Sequence, residues 1–288
     1  MNDYDFVNEV RNSSYIYDGF EKDYLNFKKY QQLSIDTLCA FHSVCEKNGI
    51  TYQLAFGSLL GIIRDNGQIP WDYDIDVIVP SDERIKLLDS LNSDLGKDYD
   101  YFAIEHNKDC EHVIIRLAPK GYDTHYLHVD VFFVSGLPGN DCEAQILKKR
   151  IYNLTLLYKA KKYNFFKQRS DSKKEMIRML YFKIKGIFKS VNEIWTEYLS
   201  VATAYSPSQT EFCCLADRFA IDYTNIPTST LYNTTTIHMY NREFRIPVDY
   251  DAVLKMFYGD YMQVPPLSKR LEEFKRFYSN LSKNCRID

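Results

Sequence analysis

The chain has 288 residues, 45% hydrophobic and 26% charged, with a formal net charge of −3. These proportions exclude an intrinsically disordered chain, and the charge gives no general attraction for nucleic acid. No stretch of about 18 uncharged apolar residues is present to cross a bilayer, and the first residues lack the basic-then-apolar pattern of a secretory signal. The seven cysteines are scattered without a CxxC pair. That argues against a zinc ribbon and suits a reducing cytosol, with the vicinal Cys213-Cys214 read as a pair of buried reduced thiols rather than a redox-active pair. The 24 Tyr and 18 Phe predict an aromatic core, with some tyrosines left to line pockets that need an apolar body and a polar tip.

Residues 21–47 read as a helix, because Ile35, Leu38, Phe41 and Cys45 recur at three- and four-residue steps. Asn48-Gly49 supplies the left-handed residue that ends it. Ile50, Tyr52, Leu54 and Phe56 then alternate as a strand, leading into Gly57-Ser58, an apolar helical turn at 59–63 and a turn at 64–67. A second strand runs from Asp74 to Val79. Ser81 is the expected N-cap of a helix over about 82–94. Further strands are expected at His112–Leu117 and His128–Val134, the latter closed by Gly136 to Gly139.

A helical segment follows, within which residues 158–189 carry eleven Lys/Arg against two acids, a net of +9 that leaves −12 on the remainder. Charge asymmetry of that size calls for a partner. Beyond it are expected a helix near 191–203, strands near 219–247 and a helix near 250–258 ended by Gly259 as an αL cap. No internal repeat or low-complexity stretch is visible.

The chemistry is expected at Pro70-Trp71-Asp72-Tyr73-Asp74-Ile75-Asp76. Period two puts Asp74 and Asp76 on one strand face and Ile75, Val77 and Val79 on the other, with Tyr73 pointing away from the acids. Paired carboxylates repel and raise each other's pKa, and a hard divalent cation, Mg²⁺ or Mn²⁺, offsets that while keeping positions open for substrate phosphates. Gly57 and Ser58 sit where a strand meets a helical turn, a place for phosphate oxygens. A third acid, Asp130, lies on the strand His128-Val129-Asp130-Val131-Phe132. Gly-Ser, then two alternating acids, then a further acid is the layout of metal-assisted phosphoryl or nucleotidyl transfer. The third acid either completes the metal site or takes the proton of an acceptor hydroxyl. His128, two before Asp130 on the same face, is a candidate for orienting phosphate.

Leu54-Ala55-Phe56-Gly57-Ser58-Leu59-Leu60-Gly61-Ile62-Ile63-Arg64 and Gly67-Gln68-Ile69-Pro70-Trp71-Asp72-Tyr73-Asp74-Ile75-Asp76 closely resemble the signature of the LicD family. That family holds bacterial phosphocholine transferases and, in animals, fukutin and fukutin-related protein. The lead-in Cys45–Ile50, the acidic strand 128–132 and the tail from Ile246 through Tyr258-Gly259-Asp260-Tyr261-Met262 to Pro265-Pro266 agree, so the resemblance spans roughly 25–270. It implies an α/β (α+β) nucleotidyltransferase-type, polymerase-beta-like mixed sheet flanked by helices. The expected organisation is a single domain over 1–288, with a core at about 25–145 and 205–270 and a basic helical insertion at about 150–200.

The resemblance further implies transfer of a phospho-substituent from a CDP-activated donor, CDP-choline first, to a sugar of a cell-surface glycan such as a lipopolysaccharide, capsule or teichoic acid. Asp74, Asp76 and Asp130 would be the metal carboxylates, and Asp72 a donor-contacting or supporting acid. Gly57 and Ser58 would hold the donor phosphates and Arg64 would steady the pyrophosphate. Many bacterial members carry a further Asp where this chain has Tyr73.

For 158–189 three readings stand: a solvated helix face, a segment lying on an anionic cytoplasmic leaflet, and a dock for a phosphate-rich glycan or lipid-linked acceptor. Nucleic acid is not expected, because no recognition motif accompanies the charge. The expected location is the cytoplasm, peripheral on the inner face of a bacterial plasma membrane. The competing functions are strict transfer of a nucleotidyl group from a triphosphate, and a non-catalytic glycan-binding module at the membrane.

Overall fold

The structure, a computed structural model, describes residues 3–107, 109–164, 173–223 and 225–285. It begins with helices α1 (Asp3–Arg11) and α2 (Phe20–Asn48). The stripe Tyr24, Phe27, Ile35, Leu38, Phe41 and Cys45 is buried along α2, and Gly49 ends it at φ 58, ψ 46 with its N–H on the Cys45 carbonyl.

The strand expected from Ile50 to Phe56 is only β1 (Gln53–Leu54), followed by α3 (Phe56–Leu60) and a π-type turn at Gly61–Asp65. Ile50, Tyr52, Gln53, Leu54 and Ala55 are all buried, so the apparent alternation did not mark one wet and one dry face. Phe56 ends the strand. Its φ of 45 lies in a region that bulky residues rarely occupy, held by ring contacts to Phe132 at 5.3 Å and Phe257 at 5.1 Å.

Next come β2 (Ile75–Pro80), a 3₁₀ turn at Ser81–Glu83 and α4 (Arg84–Asp94). Ser81 is not the expected cap. Its hydroxyl donates to the Ala202 carbonyl at 2.7 Å. β3 (Tyr99–Phe102), β4 (Ile115–Pro119) and β5 (Val129–Gly136) follow. β3 was not expected, and β4 starts later than His112.

Then come α5 (Asp141–Lys162), α6 (Lys173–Lys185) and α7 (Val191–Ala202). Asn140 caps α5, and a Ser190–Glu193 capping box starts α7. Of the basic stretch, Lys167 and Arg169 lie outside the described residues. The chain ends with β6 (Phe212–Leu215), β7 (Ile226–Pro227), α8 (Ser229–Tyr232), β8 (Thr234–Met239), β9 (Arg242–Pro247), α9 (Tyr250–Tyr258) and α10 (Leu267–Asn284). Gly259 has φ 64 but ψ −119, so it closes α9 without being the expected αL cap.

The main sheet runs β1-β2-β5-β4-β3, with β6 also on β5 and β7 on β6. β2 and β5 are parallel, and the other pairs in this sheet are antiparallel. The result is a mixed α/β fold with a mixed sheet flanked by helices. Parallel pairing sets Asp76 directly beside Asp130 and, through β4, Arg116 beside Asp130. Residues facing one another in register emerge on the same side of a sheet, so topology alone collects these three groups.

Candidate active site

The acids gather at the entrance to β2. Ile75, Val77 and Val79 are buried at 0–2% exposure, while Asp72, Asp74 and Asp76 stay half-buried, which is the expected alternation. The loop before β2 is pinned from below. Gln31 of α2 donates its side-chain amide to the carbonyls of Ile69 and Asp72. Trp71 packs on Phe6 at 5.4 Å, with Arg270 at 5.2 Å over its ring. The Asp76 peptide is held on both sides: its N–H donates to Ser58 Oγ at 2.8 Å, and its carbonyl accepts from Ala55 N at 3.0 Å.

The electrostatics are adverse to bare carboxylates. Asp72 lies close enough to Asp74 for their charges to oppose one another, and its Oδ1 accepts the Tyr73 N–H at 2.9 Å. Burial, followed by the charge of Asp74, drives the Asp72 carboxyl well above the ordinary range, and the same causes, with Asp130 added, do so for Asp76. The nearby cation, Arg116, is committed to Asp130, with Nε to Oδ1 at 2.9 Å. His128 Nε2 stands 3.5 Å from the same oxygen. Burial lowers the His128 pKa in spite of Asp130, so a neutral imidazole backs the pair. Among the described residues no three His, Cys, Asp or Glu side chains form a ready-made metal cluster. The donor chemistry nevertheless suits a hard cation: oxygen ligands only, crowded, and short of positive charge.

Two cavities flank the acids. One of about 300 Å³ is lined by Gly57, Arg64, Trp71, Asp72, Tyr258 and Glu273, among others. Arg64 faces it with its guanidinium already doubly bonded to Asp65, at 3.0 and 2.7 Å. The other, of about 220 Å³, is lined by Arg116, Asp130, Phe132, Thr155, Lys159 and Asp217. Asp217 is 5% exposed and Thr155 7%. Burial pushes the Asp217 carboxyl up to about 7, and the Thr155 hydroxyl has no hydrogen-bond partner. A further cavity of about 290 Å³ at Pro227, Ser229, Asp249 and Met256 touches none of the acids.

The structure thus brings together Gly57, Ser58, Asp72, Asp74, Asp76, His128 and Asp130, with Arg64 at the rim. His128 lies behind Asp130 and lines neither of the flanking cavities. Tyr73, expected to face away, sets its ring edge-on to His128 at 6.1 Å and to Phe277 at 5.1 Å. The charge of Asp74 adds to burial in raising its hydroxyl pKa. Arg116, Thr155 and Asp217 are additions to the expected site, and Tyr258, expected only in the C-terminal block, lines the cavity beside Asp72. Arg116 alternates with buried Ile115 and Leu117, a signal for an outward-facing strand residue. Thr155 and Asp217 carry no local signal.

Residues 49–152 match the family model "LicD/FKTN/FKRP, nucleotidyltransferase domain". The chain is also 24% identical over 255 residues to the lipopolysaccharide cholinephosphotransferase LicD of Haemophilus influenzae, covering 84% of this chain and 93% of that protein. The matched segment contains Gly57, Ser58, Arg64 and every acid from Asp72 to Asp130: residues 49–152 are a nucleotidyltransferase-type domain of the LicD family.

Proposed function

We propose that this protein transfers phosphocholine from a CDP-activated donor to a sugar of a cell-surface glycan of the lipopolysaccharide type, using a divalent cation. The observation that carries this reading is the crowding of Asp72, Asp74 and Asp76 beside Asp130, with Arg116 the cation among them. The name of the Haemophilus relative supports the choice of choline.

Asp74 and Asp76 would hold Mg²⁺ or Mn²⁺, leaving Asp130 for the proton of the acceptor. The bound ion would neutralise donor phosphate oxygens and make the phosphorus more electrophilic. Asp72, whose Oδ1 accepts the Tyr73 N–H at 2.9 Å, would stand beside the pair as a supporting acid. Gly57 leaves open backbone next to Asp72, where an added Cβ would come 3.5 Å from the Asp72 carboxyl. This is the side assigned to the donor. Its exposed Tyr258 and its acids Asp260 and Glu273 suit a quaternary ammonium, which is attracted to ring faces and to negative charge.

The acceptor is assigned to the Asp130 side. There the hydroxyl oxygen of the sugar attacks the choline-bearing phosphorus and a new O–P bond forms. The bond from that phosphorus to the bridging oxygen breaks, and CMP leaves with that oxygen. The hydroxyl proton passes to Asp130, which Arg116 and His128 hold in place. Thr155 and Asp217, buried polar groups in a cavity beside Phe132 and Phe219, suit a ring that offers hydroxyls and an apolar face.

A donor screen tests the reading. CDP-choline, CDP-ribitol, CDP-glycerol and nucleoside triphosphates are each incubated with the protein, Mg²⁺ and lipopolysaccharide, and products are followed by ³¹P NMR. CMP from CDP-choline is expected. Pyrophosphate from a triphosphate, with CDP-choline untouched, would replace this reading with strict nucleotidyl transfer.

A further inference from the structure

α6 is seated on α5 by one face only. Met179 and Phe182 are buried at 0% and 5% exposure, and at Gly186 an added Cβ would come 3.0 Å from Leu157, so the lack of a side chain lets the two helices close. The opposite face is bare. Ile177, Leu180, Tyr181, Ile184, Ile187 and Phe188 are 69%, 51%, 58%, 62%, 63% and 98% exposed. Their spacing places them on one stripe that continues through the turn after the helix. Together with Met176 they account for seven of the 18 large hydrophobic side chains exposed among the described residues. This is a concentrated patch rather than scattered surface apolarity.

Charge identifies what the patch meets. Residues 173–189 hold six basic side chains and one acid, a net of +5 in a chain of −3. On the helix, Lys174, Arg178 and Lys185 fall on one flank of the stripe and Lys183 on the other. The Lys185 ammonium lies 5.9 and 5.5 Å from the centroids of the Tyr181 and Phe182 rings, so this cation borders the apolar stripe. A second copy of the chain would set +5 against +5 across such an interface. A negatively charged lipid surface complements the cations, and its acyl region accepts the stripe. No helix among the described residues is long and apolar enough to cross a membrane, so a helix lying in the interface would provide the attachment.

We propose that α6 and the turn after it dock in the plane of an anionic lipid bilayer, with Ile177, Ile184 and Phe188 below the headgroups and the lysines among them. The same helix borders the candidate site. Lys159, from the α5 segment that lines the Asp130 cavity, pairs with Glu175 of α6 at 3.0 Å. A docked α6 therefore holds that cavity near the bilayer surface, where a lipid-borne acceptor would be. The inference is independent of which group the enzyme transfers.

Vesicle flotation of the full chain tests it, comparing phosphatidylcholine alone with vesicles containing about 30 mol% phosphatidylglycerol. The partition coefficient is expected to be at least about tenfold higher on the anionic vesicles and to fall several-fold in roughly 0.5 M NaCl. Ile184→Asp/Phe188→Asp should remove the binding with unchanged circular dichroism melting, since both side chains are exposed. Lys173→Glu/Lys185→Glu, checked by the same melting because Lys185 lies against Tyr181 and Phe182, should remove the anionic preference. Absence of enrichment on anionic vesicles overturns the proposal, as does binding that survives both double substitutions. So does a dimer in sedimentation equilibrium that Ile184→Asp/Phe188→Asp dissociates in a protein that ignores vesicles.

Discussion

The Ser58 hydroxyl oxygen accepts the backbone N–H of Asp76 at 2.8 Å. With Ala55 N–H on the Asp76 carbonyl at 3.0 Å, the junction between β1 and α3 grips the peptide that carries one of the paired acids. Ser58 thus fixes the position of a carboxylate, and its O–H remains available to donate to a phosphate oxygen. The Gly-Ser segment and the acidic strand are one mechanical unit.

Ser58→Ala removes one side of that grip. A part-buried hydrogen bond of this kind stabilises by about 1 kcal/mol, to be read from denaturant unfolding. CMP release is expected to fall roughly tenfold through displacement of Asp76. Ser58→Thr, which keeps the oxygen, should recover most of the activity. Wild-type values in Ser58→Ala for both stability and rate would remove the grip from the account.

The crowded acids predict opposite signs for two melting experiments. Without metal, Asp76→Asn is expected to melt above wild type, because it removes a carboxyl whose ionisation burial and Asp74 oppose. With Mg²⁺ or Mn²⁺ the order should reverse. At a concentration about 100 times Kd the wild type gains roughly 2.7 kcal/mol from binding, a gain the variant lacks.

Arg116 and Asp130 have side-chain exposures of 16% and 10%, so removing one charge leaves the other poorly solvated. Arg116→Met is expected to cost roughly 3 kcal/mol and to release Asp130 from its position. Arg116→Lys keeps the charge but not the planar contact with Asp130 and the Thr124 carbonyl. It should recover stability more fully than activity. Urea melts and CMP release on the two variants check both statements.

Asp217 gives a pH signature. Burial lifts its carboxyl from 3.8 to about 7, so the folded state holds this proton more tightly than the unfolded chain. The resulting stability is fully present below the unfolded pKa and is lost as pH rises through about 7. Asp217→Asn can still accept the Phe219 N–H that Asp217 Oδ1 accepts at 2.7 Å. It should therefore exceed wild type at pH about 8, by at most on the order of 4 kcal/mol, with the difference shrinking toward pH about 5. A pH series of melting curves reads this directly, and a constant difference would rule out Asp217 as its source.

The acidic strand was legible because alternation is a local property: Ile75, Val77 and Val79 had to be buried, and Asp74 and Asp76 had to emerge together. The family motif was legible for the same reason, since it is contiguous. The partners of the acids were not. Asp130 meets Asp76, and Arg116 meets Asp130, through strand register that no single segment encodes. Asp217 reaches the second cavity from beyond β6.

Local rules also failed where tertiary packing overrode them. Phe56 is turned out of a strand by the aromatic pair Phe132 and Phe257, and Ser81 is drawn to Ala202 instead of capping α4. The stripe Leu271, Phe274 and Leu281 of α10 follows helical spacing. It lies among charged residues beyond Pro265-Pro266, past the helix near 250–258 that is the last one expected from the sequence.

In the proposed reaction the Asp72–Asp76 acids hold a divalent cation that promotes release of CMP from CDP-choline. The most direct measurement is CMP formation by wild type and Asp74→Asn, with lipopolysaccharide as acceptor, in Mg²⁺ and in EDTA. CMP is expected from wild type in Mg²⁺ alone, with loss of at least about a thousandfold in EDTA or in Asp74→Asn. Equal CMP release by Asp74→Asn, or release undiminished by EDTA, would contradict it.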